Sequence, residues 1–264
     1  MGEGTAGLNV AGLPRSRHAH GRTVAALAVL AATVASAQPA PPYQAAVAAY
    51  KAALARLEEH ARGRRDLEAA FQAALNIHQA LFAPSQDGKE TVLEQLPPAE
   101  YQRLQNDLPG ILVNREEVLF SEPDPDFFVQ LAVGHGEEAD RRFFAALKAT
   151  YPESVWPVYV QQQTDYSGCT RFGSGTLVDT YRRWAEYTRS FPGRYAATVQ
   201  RETDHATGEL TQSTCACGDS ATVERELQQF VRAFPASPIR QAVNQRLRAL
   251  QTGQSDIRPR CISG

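Results

Sequence analysis

The 264-residue chain has a single methionine, Met1, only two tryptophans and four cysteines. It has no G-x-S-x-G elbow, no glycine-rich phosphate loop, and no calcium loop with alternating acids, a glycine and a closing glutamate. Its 27 basic residues do not exceed its 29 acidic ones, so it lacks the basic face that nucleic acid requires. These absences remove the reaction classes that announce themselves by a local motif. What the chain does contain is a leader-like start, helical periodicity and a small set of cysteines.

Arg15, Arg17 and Arg22 precede a short apolar run, residues 23–34, and Ala35-Ser36-Ala37 supplies a small-x-small pattern before Gln38. That order is expected for a signal peptide, residues 1–37, cleaved near Ala37. The apolar run is too short for a membrane span, which takes roughly 20 residues. The expected product is a periplasmic or secreted chain, residues 38–264, with no membrane span. Removing three arginines and one glutamate with the leader leaves 24 basic and 28 acidic residues, a formal charge of −4. An even number of cysteines in an exported chain points to disulfides. Cys215 and Cys217 have one residue between them, too few for an unstrained bridge. Cys169 is therefore expected to pair with one of them and Cys261 with the other. The competing reading is a zinc site on Cys169, Cys215, Cys217 and His205. Cys-x-Cys departs from the usual C-x2–4-C ligand spacing, so neither metal nor cofactor is expected.

Tyr43, Val47, Tyr50, Leu54 and Leu57 recur at helical spacing after Pro41-Pro42, and Leu67, Phe71, Leu75, His78 and Phe82 follow up to Pro84. They predict an N-terminal helix pair over residues 38–84, with His78 a hydrogen-bonded core residue. Asp124 and Pro125 read as an N-cap and first helical residue, opening a helix that Gly134-His135-Gly136 ends. Residues 111–120 fit a strand or a buried helix equally well. A long helix is expected over residues 193–214, carrying Asp204 and His205 in different directions.

One pattern returns four times: an apolar triplet at helical spacing followed by proline. The copies are Tyr101, Leu104, Leu108, Pro109; Phe144, Leu147, Tyr151, Pro152; Trp184, Tyr187, Phe191, Pro192; and Leu227, Phe230, Phe234, Pro235. Proline disfavours helix at the residue before it, so each helix should stop at the same point of its stripe. The spacing predicts repeat-like helices over residues 98–252, followed by a tail, 253–264. The fold class expected is all-α: antiparallel helix pairs stacked as an irregular repeat in one disulfide-stabilised domain. The segment from Leu227 to Pro238, with its Phe234-Pro235-Ala236-Ser237-Pro238 turn, resembles the helix junction of tetratricopeptide-like periplasmic and outer-membrane assembly proteins. Trp184 to Val199 is a second match. The spacing exceeds their 34-residue period, and no cysteine follows the cleavage site to carry a lipid anchor. The resemblance implies a protein-binding scaffold without catalysis.

The segment from Asp165 to Gly175 breaks the helical rhythm with three glycines, and Cys169 ties it down. Ordered loops on rigid scaffolds concentrate binding residues. Asp165, Tyr166 and Arg171, together with His135 between its two glycines, are the candidate ligand-facing residues. No catalytic residues are expected. The leading expectation is a helical binder of another protein or an envelope component. Its rival is a cell-envelope hydrolase using His135 or acids such as Glu116 and Glu117.

Overall fold

The computed structural model describes residues 42–59, 66–85, 87–116, 119–151 and 169–261. The leader predicted over residues 1–37 lies outside the described residues. Four helix pairs dominate. The first is α1 (Pro42–Glu59) on α2 (Asp66–Leu81), followed by the short α3 (Val92–Gln95) and α4 (Pro98–Asp107). A β-hairpin of β1 (Ile111–Asn114) and β2 (Phe120–Pro123) then leads to the pair α5 (Pro125–His135) and α6 (Glu138–Thr150). The third pair is α7 (Thr176–Ser190) and α8 (Ala196–Thr211). After β3 (Cys215–Ala216) come α9 (Ser220–Ala233) and α10 (Arg240–Gln251), then β4 (Arg258–Pro259), which pairs parallel to β3. Neighbouring pairs touch: α6 packs on α7, α7 on α9, and α8 on α10.

The expected helical class holds, with two small sheets added to it. Residues 111–120, ambiguous by periodicity, form β1 and the start of β2, with Ile111 opposite Pro123 and Asn114 opposite Phe120. Gly110 makes the turn into β1 at φ +70°, and a Cβ there would overlap the Phe127 ring, so glycine is required twice over. The helix expected over 193–214 is shorter, because Gly193 at φ +77° and Tyr195 at φ +50° lie outside the helical region. Asp124 caps α5 as expected, its carboxylate accepting from the Asp126 amide at 2.9 Å, with Pro125 in the first turn.

All four residues that stand before these prolines end a helix. Leu108, Tyr151, Phe191 and Phe234 are the C-caps of α4, α6, α7 and α9, with φ between −112° and −136° and ψ between 63° and 85°. A single steric rule, the clash of the proline ring with the residue before it, thus sets four helix ends.

Two apolar cores lie along the unit. The first gathers Leu67, Phe71, Ile77, Phe128, Phe143, Phe144, Trp184 and Tyr195. Phe71 meets Phe128, Phe143 and Phe144 edge-on, and Phe143 stacks on Tyr195 with ring centres 3.7 Å apart. Such pairs add roughly 0.5–1.5 kcal/mol each beyond area burial. The second core gathers Leu177, Val178, Leu210, Val223, Leu227, Phe230 and Val243. The third helix pair contributes to both, through Trp184 and Tyr195 to one and Leu177 and Leu210 to the other.

An ionic knot fastens the first core. Arg194 donates to Glu68 at 2.9 Å, to Glu137 at 2.9 Å and to Asp140 at 2.7 Å, joining α2, α6 and the α7–α8 turn. Tyr195 adds its hydroxyl to Asp140 at 2.8 Å and its amide to Glu68 at 2.6 Å. Burial opposes the arginine's charge, but the hydrogen bonds and charges of Glu137, Asp140 and Glu68 outweigh it and push its pKa further up. The same surroundings, burial first and Asp140 second, push the Tyr195 phenol far up and keep it a donor.

Candidate functional site

The segment around Arg171 is held by the end of the fold where α7 begins and α8 finishes. Cys169 is bonded to Cys217 and Cys215 to Cys261, with Cα atoms 5.1 and 5.2 Å apart, and no described cysteine is free. With all four sulfurs in disulfides, a thiolate zinc site is excluded. Between the bridges, β3 is flanked by Thr170 on one side and β4 on the other. Thr170 N donates to the Cys215 carbonyl at 2.8 Å, and Cys261 N to that of Ala216 at 3.0 Å. The tail predicted over 253–264 is therefore stapled into the structure through Arg258, Pro259 and Cys261.

Two side chains of the α9–α10 pair complete this end. The fully buried Glu226 carboxylate accepts from Gly173 N at 2.9 Å, Gly175 N at 2.8 Å and Val178 N at 3.1 Å. It satisfies donors of the glycine turn and of the first turn of α7, where a helix dipole favours an anion. Gly173 is required here, because at φ +93° a Cβ would press on Thr222. At the other helix, Arg246 donates to the carbonyls of Leu210, at 2.9 Å, and Ser213, capping the end of α8 with a cation. An acid on α9 and a base on α10 thus cap α7 and α8 from outside.

The candidate residues are dispersed by the fold. Asp165 and Tyr166 lie outside the described residues. Arg171 is exposed just after Cys169, in the stapled connector. His135 is the last residue of α5, and no hydrogen bond or ion pair joins it to Arg171 among the described residues. Glu116 is exposed, and Glu117 lies outside the described residues. His78 is not a core residue: it is half-buried, stacks on Phe82 with ring centres 4.4 Å apart, and its Nδ1 lies 2.9 Å from the Ser121 carbonyl. The same nitrogen is 3.6 Å from Glu122 Oε1. Burial raises the Glu122 pKa, against the opposing charges of His78 and Arg201. This contact joins α2 to β2. Nothing local in the sequence links residues 78 and 122.

Grooves run between the helices. One, of about 400 Å³, lies between α1 and α4, where Tyr43 donates to Glu100 and Lys51 pairs with Asp107 at 3.6 Å. Arg103, which also lines it, donates to the Ala99 carbonyl at 3.3 Å. Another, of about 340 Å³, lies between α6 and α7 and carries Arg142, Arg183 and Arg189 against a single acid, Glu186. No helix of the described residues is long and apolar enough to cross a membrane. Comparison with protein-family models, curated proteins and solved structures finds no match for the chain.

Proposed function

We propose that this is an exported helical-hairpin scaffold that binds another protein or an envelope component and carries out no catalysis. The observation that carries the reading is the stacking of hairpin on hairpin, α7 on α9 and α8 on α10, with grooves left open between helices elsewhere on the unit. Stacked helix pairs bury their faces against neighbours and expose extended surfaces to partners. The likeness of Leu227–Pro238 to the junction of tetratricopeptide-like assembly proteins supports the same reading, as do two disulfides, which persist in oxidising compartments. The test is affinity capture from envelope extract of the native host by the full chain, with quantitative mass spectrometry. The expected result is one partner retained in near-stoichiometric amount and displaced by free chain.

A second reading, an envelope hydrolase, rests on the pairing of His78 with Glu122. It shifts the candidate site away from His135, Glu116 and Glu117. Turnover of envelope glycan or peptide by the full chain, lost in both His78→Ala and Glu122→Gln, would establish it in place of the scaffold.

A further inference from the structure

We propose that the groove between α6 and α7 takes an acidic peptide in extended conformation, a partner chemistry that rests on the scaffold reading. Charge is the first argument. Three guanidinium groups, Arg142, Arg183 and Arg189, face one carboxylate, Glu186, along the groove. Arg142 has a partner in Glu138 at 3.0 Å on its own helix, exposed to solvent. Arg183 has none among the described residues: its Nη1 is buried without a hydrogen-bond acceptor. Burial lowers its pKa, with the charge of Asp179 too weak an offset to reverse the effect. Half-buried, unpaired guanidinium is costly to keep, and an incoming anion removes that cost.

A second orphan lies four residues further along α7, its charged neighbours being Arg194, Asp140 and Glu68. The Tyr187 hydroxyl is buried and makes no hydrogen bond, and burial holds its pKa up, so it remains a proton donor. Nη1 of Arg183 and the hydroxyl of Tyr187 are closed off from water as they stand. Ligand entry therefore involves a rotation of the Arg183 side chain, which no ion pair restrains.

Spacing decides between anions. Arg183, Glu186 and Arg189 recur every third residue on α7, so the two arginines are displaced by roughly 9 Å along the helix axis. A compact oxyanion cannot bridge that distance. Carboxylates on alternate residues of an extended chain recur at roughly 6.6–6.8 Å, within reach of flexible arginine side chains. Phe191 closes the groove with an apolar surface for the residues between.

The test titrates the full chain with acetyl-Glu-Ala-Glu-Ala-Glu-amide, its glutamine counterpart, and inorganic phosphate, read by isothermal titration calorimetry at low salt. The acidic peptide should bind at least about tenfold more tightly than the glutamine peptide, and more weakly as salt rises. Arg183→Met and Arg189→Met should each weaken it about fivefold or more, while Arg248→Gln, exposed on α10, should leave it unchanged. Arg183→Met should also leave the melting temperature unchanged or raised, because an unpaired buried charge has been removed. Arg189 is exposed, so its variant keeps the test meaningful if Arg183→Met folds poorly. Equal binding of the two peptides, wild-type affinity in both arginine variants, or phosphate competing as well as the peptide would each overturn the proposal. If peptide binding fails but the envelope partner is still captured by wild type and by Arg189→Met, this inference falls and the scaffold reading stands.

Discussion

The two cores are fastened by different chemistry. The first is large and aromatic, and its polar fastenings are noncovalent: Arg194 with Glu68, Glu137 and Asp140, fixed by Tyr195, beside Tyr151 on Glu202 at 2.8 Å and Trp184 on Thr150 at 3.1 Å. The second has fewer large side chains and is closed by two disulfides and two charged caps, Glu226 and Arg246. The contrast teaches that a small core gains from restraining the unfolded chain, while a large one can afford a charge network whose members all need one another.

Reduction should expose the contrast most strongly. Each bridge joins residues 46 or 48 positions apart, and losing both should cost about 4–8 kcal/mol at roughly 2–4 each. Hydrogen exchange after reduction should show the amides of Thr170, Cys217, Arg258 and Cys261 losing protection before those of α2 and α6. A uniform loss across both cores would break the comparison. On the other side, Arg194→Met leaves three carboxylates without their shared cation and should cost about 3–5 kcal/mol by urea denaturation. Disulfide reduction of that variant should add to the loss nearly independently; strong coupling between them would merge the two cores into one.

Smaller effects sharpen the picture. Glu226→Gln keeps one acceptor oxygen but turns an amide nitrogen towards backbone donors, at a cost of about 1–3 kcal/mol in thermal unfolding. An unchanged melting temperature would show that the cap is dispensable. Least of all should be the pH effect at Glu122. Its folded pKa is raised by burial, so the native state holds that proton more strongly than the unfolded chain does. The resulting stabilisation is present below the unfolded glutamate pKa, about 4.3, and is lost as pH rises through the raised folded value. Glu122→Gln should therefore gain stability relative to wild type as pH climbs through that window, measured by denaturant midpoints. A gain that shrinks with rising pH would contradict the assignment.

What could be read from the chain in advance was what proximity in sequence controls. The ends of helices at Leu108, Tyr151, Phe191 and Phe234 were legible because the constraint comes from the very next residue. On α2 the stripe of large apolar residues lies one step off the buried face, which is Leu67, Ala70, Phe71, Ala74, Ile77 and Leu81, two of them alanines that a count of large apolar residues passes over. By the large residues alone, His78 falls on the core face. The four proline-ended helices are unevenly set in the order of elements, with a β-hairpin and α5 between α4 and α6, and α8 and β3 between α7 and α9. The pairing of His78 with Glu122, the Arg194 knot and both caps of the third helix pair join residues 33 to 126 positions apart. No local pattern encodes them.

The cap on α7 also sets an order of events. Its carboxylate comes from a residue 48 to 53 positions downstream of the amides it accepts from. When the chain emerges amino terminus first, α7 has its whole sequence available long before Glu226 appears, and its N-cap position is a glycine with no side chain to substitute. The first turn of α7, where only Ser174 offers a local acceptor, to the Thr176 amide at 3.2 Å, therefore gains its carboxylate cap only once α9 has been made and docked.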